Sequence, residues 1–371
     1  MLVGVPKEIK DSEYRVGLVP STVRELTLKG HRVLIEKDAG VGAGLADDAY
    51  VAAGAEIAAS ADQIFAEAEL IVKVKEPLAP ERKKLRYGQV LFTYLHLAPD
   101  REQAEDLLAS GCIAIAYETV TSPLGGLPLL MPMSEVAGRM APQAGAHCLE
   151  KEIGGRGVLL GGVPGVSAAD VLVLGGGMVG ANAARIAAGM GADVTVVDRN
   201  LDVLRRIDNT LGGVHTVFST RDAVETLCRR ADLIIATVLI PGATAPKLIT
   251  AETVRAMKPG AVIVDVSIDQ GGCAETSRPT THSHPTYIVD DVVHYCVANM
   301  PGAVARTSTF ALNNMTLPFV LALADKGYRV ALGQDPHLRA GLNVHEGEIT
   351  YKAVADALKL PYVPAEQALR M

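Results

Sequence analysis

The sequence has no excess of positive charge, no long apolar run and no patterned cysteine, and each shortage removes a class of function. Its 35 Lys and Arg stand against 42 Asp and Glu, a formal net charge of −7. The chain therefore has no basic footprint for nucleic acid. It has no uninterrupted stretch of about 18 apolar residues, so no membrane span is expected. Residues 157–169 come nearest, but they are rich in Gly, contain Pro164 and run into Asp170. The N-terminus, Met1-Leu-Val-Gly-Val-Pro-Lys-Glu8, lacks the apolar core of a secretion signal and reads as a first strand, so no leader is expected. The cysteines (Cys112, Cys148, Cys228, Cys273 and Cys296) are odd in number and scattered. That pattern predicts reduced thiols and a cytoplasmic location, with neither a disulfide framework nor a zinc cluster. Internal repeats and low-complexity segments are lacking as well. What remains is 371 residues, 49% hydrophobic and 21% charged. This is a globular composition long enough for two domains, each with its own core.

The most informative stretch runs from Asp170 to Asp198 and reads as strand, glycine turn, helix, strand, acid. Val171 to Leu174 is the short apolar run of a buried parallel strand. Gly175, Gly177 and Gly180 fit G-x-G-x-x-G at the strand-to-helix turn. The first Gly permits the tight turn, the second lets backbone approach a pyrophosphate, and the third lets helix and strand pack closely. Val179, Ala183, Ile186, Ala187 and Met190 follow at helical spacing, so the helix buries one face while its N-terminal N–H groups point at an anion. Val194 to Val197 is a second strand, ended by Asp198. A carboxylate there accepts hydrogen bonds from an adenosine ribose and repels a 2′-phosphate. The glycine pattern alone is weak in a chain with 36 Gly, but the full sequence of elements predicts a dinucleotide site that prefers NAD over NADP.

The first 130 residues alternate strand and helix signals. Strands are expected at Leu2–Val5, His31–Glu36, Leu70–Val74, Gln89–Leu95 and Cys112–Tyr117, with helices at 20–30, 62–69 and 100–110. Alternation of this kind predicts a parallel sheet covered on both faces. Ser134 suits the N-cap of a helix running to about Glu152. Beyond Asp198, strands are expected at Leu233–Thr237 and Ala261–Val266. Helix is expected from Thr307, including Val344–Leu358. A tail of about 65 residues is small for an independent domain and is expected to return to the N-terminal sheet. The predicted class is α/β with two parallel-sheet domains. A Rossmann nucleotide domain at 131–305 is inserted into a split Rossmann-like or flavodoxin-like substrate domain, made of 1–130 and returning helices at 306–371.

Ligands of open parallel sheets bind beyond the carboxyl ends of the strands, and three groups of the first domain are expected there. Arg15 follows the first strand, Lys75 ends Ile71-Val-Lys-Val-Lys75, and His96 ends Leu91-Phe-Thr-Tyr-Leu-His96. Each alone reads equally well as a surface charge or a cap. Together they suit a small amino or keto acid: Arg for a carboxylate, Lys for a carboxylate or carbonyl oxygen, and His to move a proton. In the second domain Asp269 follows the strand Val262–Val266 and reads either as an acid/base group or as a turn-forming Asp before Gly271-Gly272. Asn299-Met300 is placed to meet the nicotinamide amide. His282 and His284 lack companion ligands and read as loop residues. Cys273 has no evident partner base, so it is not expected to act as a nucleophile.

Several runs together are similar to those of the family shared by bacterial L-alanine dehydrogenase and the α-subunit of nicotinamide nucleotide transhydrogenase. They are Gly4-Val-Pro-Lys-Glu8, Glu13-Tyr-Arg-Val16, Val74-Lys-Glu-Pro77, Tyr94-Leu-His-Leu97, Met133-Ser-Glu-Val-Ala-Gly-Arg139, Gly175-Gly-Gly-Met-Val-Gly180, Ile268-Asp-Gln-Gly-Gly-Cys273 and Val297-Ala-Asn-Met-Pro301. The resemblance extends from Met1 to about Leu358. It implies NAD-dependent oxidative deamination of L-alanine to pyruvate and ammonium. Arg15 and Lys75 would bind substrate, and His96 and Asp269 would act as acid and base. It implies cofactor contacts at Ser134, Gly175, Gly177, Met178, Val179, Gly180, Asp198, Ser219, Val238, Leu239, Ile268, Asp269, Arg278, Asn299 and Met300, and it implies a homohexamer. Two departures are visible. Val203 stands where some relatives have a Lys beside the ribose. Ala322 and Lys326 replace a metal-binding Glu and His, so no metal is expected. The remaining readings are a soluble NAD(H)-binding component of a proton-translocating transhydrogenase, a lysine- or opine-forming dehydrogenase, and a non-catalytic NAD sensor.

Overall fold

In a computed structural model, residues 1–238 and 244–370 are described. The chain divides into two compact units, one of Met1–Met133 with Gly302–Met371 and one of Ser134–Pro301.

The first unit is built on β1 (Leu2–Val5), β2 (Arg32–Glu36), β3 (Glu56–Ala58), β4 (Leu70–Val72), β5 (Val90–Thr93) and β6 (Ile113–Ala116). These are parallel, in the spatial order β6-β5-β4-β1-β2-β3. That is the doubly wound dinucleotide-fold order rather than the flavodoxin one. Near-continuous apolar strands suit a sheet covered on both faces, and Val3, Val5, Ile71, Leu91, Phe92 and Ile115 are all fully buried. Leu342–His345 and Glu348–Ile349 are strands that extend this sheet by antiparallel pairing from β6, with Leu342 opposite Ile115. The expected helix over Val344–Leu358 is therefore incorrect in its first half. Only Lys352–Leu358 is helical, because Leu342 and Val344 bury themselves by pairing with β6.

The returning segment also braces the chain that follows β1. Its long helix, Ala305–Lys326, carries the buried Asn313. The Asn313 side chain donates to the Gly17 carbonyl at 2.7 Å and accepts from Val19 N–H and the Thr22 hydroxyl at 3.2 and 2.5 Å. One amide thus satisfies three polar groups of the segment after β1, which would otherwise be buried without partners.

The second unit is built on β7 (Asp170–Leu174), β8 (Asp193–Asp198), β9 (Val214–Phe218), β10 (Leu233–Ala236), β11 (Val262–Asp265), β12 (Thr286–Val289) and β13 (Val292–Tyr295). Their order is β12-β13-β11-β10-β7-β8-β9, parallel except for β12. Ser134 lies inside the helix Met131–Cys148 and not at its cap. The helix starts one turn earlier, where Pro132 in the first turn fits without losing a needed N–H.

Candidate active site

In the first unit the segments following β1, β4, β5 and β6 leave the same carboxyl edge of the sheet. Arg15 follows β1 and is only 2% exposed. Its Nε and Nη2 donate to the two oxygens of Glu13 at 2.6 and 2.5 Å, and its Nη1 lies 3.0 Å from the Met133 sulfur. Burial works against the guanidinium charge, but the two hydrogen bonds and the charge of Glu13 override it and hold Arg15 above its ordinary range. Lys75 follows β4 and is half-buried. Burial, and then repulsion from Arg15, push its ammonium below the usual lysine range. An anion placed beside this ammonium would favour its charged form. His96 follows β5, with its side chain 46% exposed and its Nδ1 3.4 Å from a Glu76 oxygen.

Sequence reading missed the carboxylates that hold these groups. Glu13 lies two residues before Arg15, a signal that was available. Glu8 is buried at the end of the first motif and accepts the Val74 N–H at 2.7 Å. It also pairs with Lys73, which bonds Glu81 as well, at 3.0 and 2.7 Å. This fully buried trio fixes the backbone that presents Lys75. Glu118 lies in no recognisable pattern.

In the second unit the predicted residues sit beyond the carboxyl ends of six adjacent parallel strands. Ser219 follows β9, Asp198 ends β8, Gly175 follows β7, Val238 follows β10, Ile268 and Asp269 follow β11, and Asn299 and Met300 follow β13. Gly175 has φ 95° and turns the chain. A Cβ on Gly177 would meet nothing within 4 Å, whereas one on Gly180 would lie 1.8 Å from the Gly175 carbonyl oxygen. One glycine thus leaves room above the helix Met178–Gly189, and the other lets that helix touch the strand. Met178 is exposed at the helix start, with Val179 beside it.

Asp198 accepts the Gly176 and Asn200 N–H groups, each at 2.8 Å, and the Ser219 N–H reaches its backbone carbonyl at 3.0 Å. Asp269 is exposed in the short turn Val266–Gln270, and Ile268 is buried beside it. That turn is anchored by Asp265, fully buried, which accepts from Ser267, Cys273 and Ala274 N–H groups and from the Ser277 hydroxyl. Arg278 lies 4.0 Å over the Tyr287 ring on β12. Asn299, with φ 61°, receives His282 Nε2 on its carbonyl at 3.1 Å. Leu239 lies outside the described residues. Burial pushes the Cys273 thiol up to about 11, so it is not a thiolate at neutral pH.

The family descriptions "Alanine dehydrogenase/PNT, N-terminal domain" and "Alanine dehydrogenase/PNT, C-terminal domain" match residues 4–137 and 141–352. The chain belongs to the alanine dehydrogenase/PNT family. It is 61% identical to an alanine dehydrogenase of Halomonas elongata, over 98% of this chain and 99% of that one. A solved structure of an L-alanine dehydrogenase, 52% identical, superposes with a TM-score of 0.95 over 97% of this chain and 99% of that one. A transhydrogenase structure from Sinorhizobium meliloti shares the fold at a TM-score of 0.82 over 95% of this chain and all of that one, with 24% identity. As an alanine dehydrogenase/PNT member the chain carries both halves of the family architecture. Among the described residues no helix is long and apolar enough to cross a membrane.

Proposed function

We propose that the chain is an NAD-dependent alanine dehydrogenase that converts L-alanine to pyruvate and ammonium and runs reversibly. The observation that carries this reading is the end-to-end similarity to alanine dehydrogenases, at 61% identity over 98% of the chain in the Halomonas case. The residues fit the cofactor. The open space at Gly177 admits a pyrophosphate to the start of the helix Met178–Gly189, and Asp198 offers a carboxylate to a ribose. When bound, NAD accepts the Cα hydride of the substrate.

This chain's own groups do the rest. Arg15, oriented by Glu13, and Lys75 bind the substrate carboxylate and, later, the carbonyl oxygen. His96 removes a proton from the water that attacks the iminium carbon. Asp269 and His96 manage the protons as the carbinolamine releases ammonia. The setting we propose is cytoplasmic and homohexameric, and sedimentation measures the assembly.

NADH formation with L-alanine, compared with glycine, L-serine and L-lysine, tests the reading. A kcat/KM for L-alanine at least about tenfold above each of the others is expected, equivalent to about 1.4 kcal/mol of transition-state discrimination. Absence of NADH formation with all four would overturn it. Asp198→Ala is expected to raise KM for NAD about tenfold and to improve the use of NADP, since it removes charge-assisted acceptors and the repulsion of a 2′-phosphate. Steady-state kinetics with both cofactors reads this directly.

A further inference from the structure

Glu76 belongs to the run Val74-Lys-Glu-Pro77, yet the reaction above gives it no task, and Glu118 has none either. Both close on His96 from separate elements. His96 has φ 47°, in the left-handed region that an L-residue holds only where its surroundings compel it. The compulsion comes from Glu118, just after β6. Its carboxylate accepts the His96 N–H at 2.6 Å and the Leu95 N–H at 3.1 and 3.2 Å. Two successive N–H groups converge on one anion where the backbone changes hand, as in other anion-binding nests.

The ring is held independently. Its Nδ1 is 3.4 Å from Glu76 Oε2, and the Tyr94 ring stacks on it at 5.8 Å with 23° between planes. The other oxygen of Glu76 pairs with the Lys10 ammonium from the segment after β1. Burial works against the Glu76 charge, but the hydrogen bonds of His96 and Lys10 override it and carry the carboxyl down to about 2. Glu76 is therefore an anion wherever an imidazole titrates. The other charged or titratable groups nearby in this unit are Glu118 at the backbone, Tyr94 against the ring, and the cations Lys75 and Arg15.

We propose that Glu76 and Glu118 are positioning residues for His96: Glu118 fixes the backbone, and Glu76 accepts the Nδ1 proton, leaving Nε2 as the atom that exchanges protons with substrate. This deepens, and rests on, the base role given to His96. A carboxylate beside one ring nitrogen selects the tautomer and stabilises the imidazolium. In the reaction, Nε2 takes a proton from the water as the new C–O bond forms. It returns that proton to nitrogen before the C–N bond breaks, and it receives the hydroxyl proton as the carbonyl forms and ammonia leaves.

The test uses the full-length enzyme and the variants Glu76→Leu, which leaves Nδ1 no acceptor at this position, Glu118→Gln and His96→Ala. With H96A, turnover is expected to fall at least about 100-fold. With E76L, kcat is expected to fall about tenfold. In histidine-labelled protein, the 15N signals of His96 should shift away from the Nδ1–H tautomer. With E118Q, kcat is expected to fall by a similar factor while the 15N tautomer signature stays in place, since that carboxylate touches the backbone. KM for NAD should be unchanged in both Glu variants. If E118Q melts below the assay temperature, E118D, which keeps the charge at shorter reach, is read in the same way. The proposal is overturned if E76L keeps the wild-type 15N signature, or if the Glu118 variants turn over at the wild-type rate. Near-normal turnover in H96A would instead remove the base role itself, while the 15N signature still reports whether Glu76 sets the tautomer.

Discussion

Arg15→Leu is expected to raise KM for L-alanine at least about 100-fold and to cost about 3–5 kcal/mol of folding stability. Arg15 and Glu13 form a bidentate pair with side chains only 1% and 0% exposed. Truncating the guanidinium deprives a buried carboxylate of its charge partner, so the loss far exceeds that of a surface ion pair. The double replacement Arg15→Leu with Glu13→Leu removes both charges and is expected to recover most of the stability but none of the substrate affinity. Lys75→Met separates the two roles from the other side. Lys75 is half-buried and its charge is already disfavoured by burial and by Arg15. Its loss should therefore leave stability nearly unchanged while raising KM for L-alanine. Urea unfolding alongside steady-state kinetics checks all three variants. An R15L enzyme with wild-type KM and reduced stability would make Arg15 purely structural.

The elements that were legible in the sequence are those whose pattern is local. Gly175, Gly177, Gly180 and Asp198 announce a turn, an approach and a strand end within one short stretch, and β7, β8 and the helix between them lie where that stretch puts them. Strand ends also located Arg15, Lys75 and His96 on one sheet edge. The edges of the sheets were not legible. Val214–Phe218 forms β9 with only Val214 buried, so its pattern lacks the apolar run of a central strand. Val344 fits a helical pattern locally, and its strand exists only through pairing with β6, far away in the chain. The supporting carboxylates were hidden for a related reason. Glu118 meets His96 only because β5 and β6 are neighbours, and Glu8 reaches the Val74 N–H only because β1 and β4 are neighbours. Partners chosen by topology leave no spacing signal in the chain.

Gly180→Ala and Gly177→Ala are expected to part company, and together they test what the glycine turn is for. At Gly180 the added methyl would sit 1.8 Å from the Gly175 carbonyl oxygen and 2.8 Å from the Thr237 hydroxyl. That hydroxyl donates to the Leu174 and Gly175 carbonyls at 2.9 Å each, so it is not free to retreat without breaking bonds. The helix Met178–Gly189 must therefore back away from β7, at an overpacking cost of about 3 kcal/mol or more. NADH affinity should fall at least about 100-fold as the helix N-terminus moves. Gly177 has φ −64° and ψ −160°, which any residue adopts, and its missing Cβ faces open space. Neither strain nor packing requires a glycine there. Gly177→Ala is thus expected to melt like the wild type yet to bind NADH at least about tenfold more weakly, because the methyl occupies the approach of the pyrophosphate to the backbone. NADH fluorescence titration and thermal melts read the two effects separately. Wild-type NADH affinity in Gly177→Ala would mean that the space above this turn is not where the dinucleotide lies, whatever happens at Gly180.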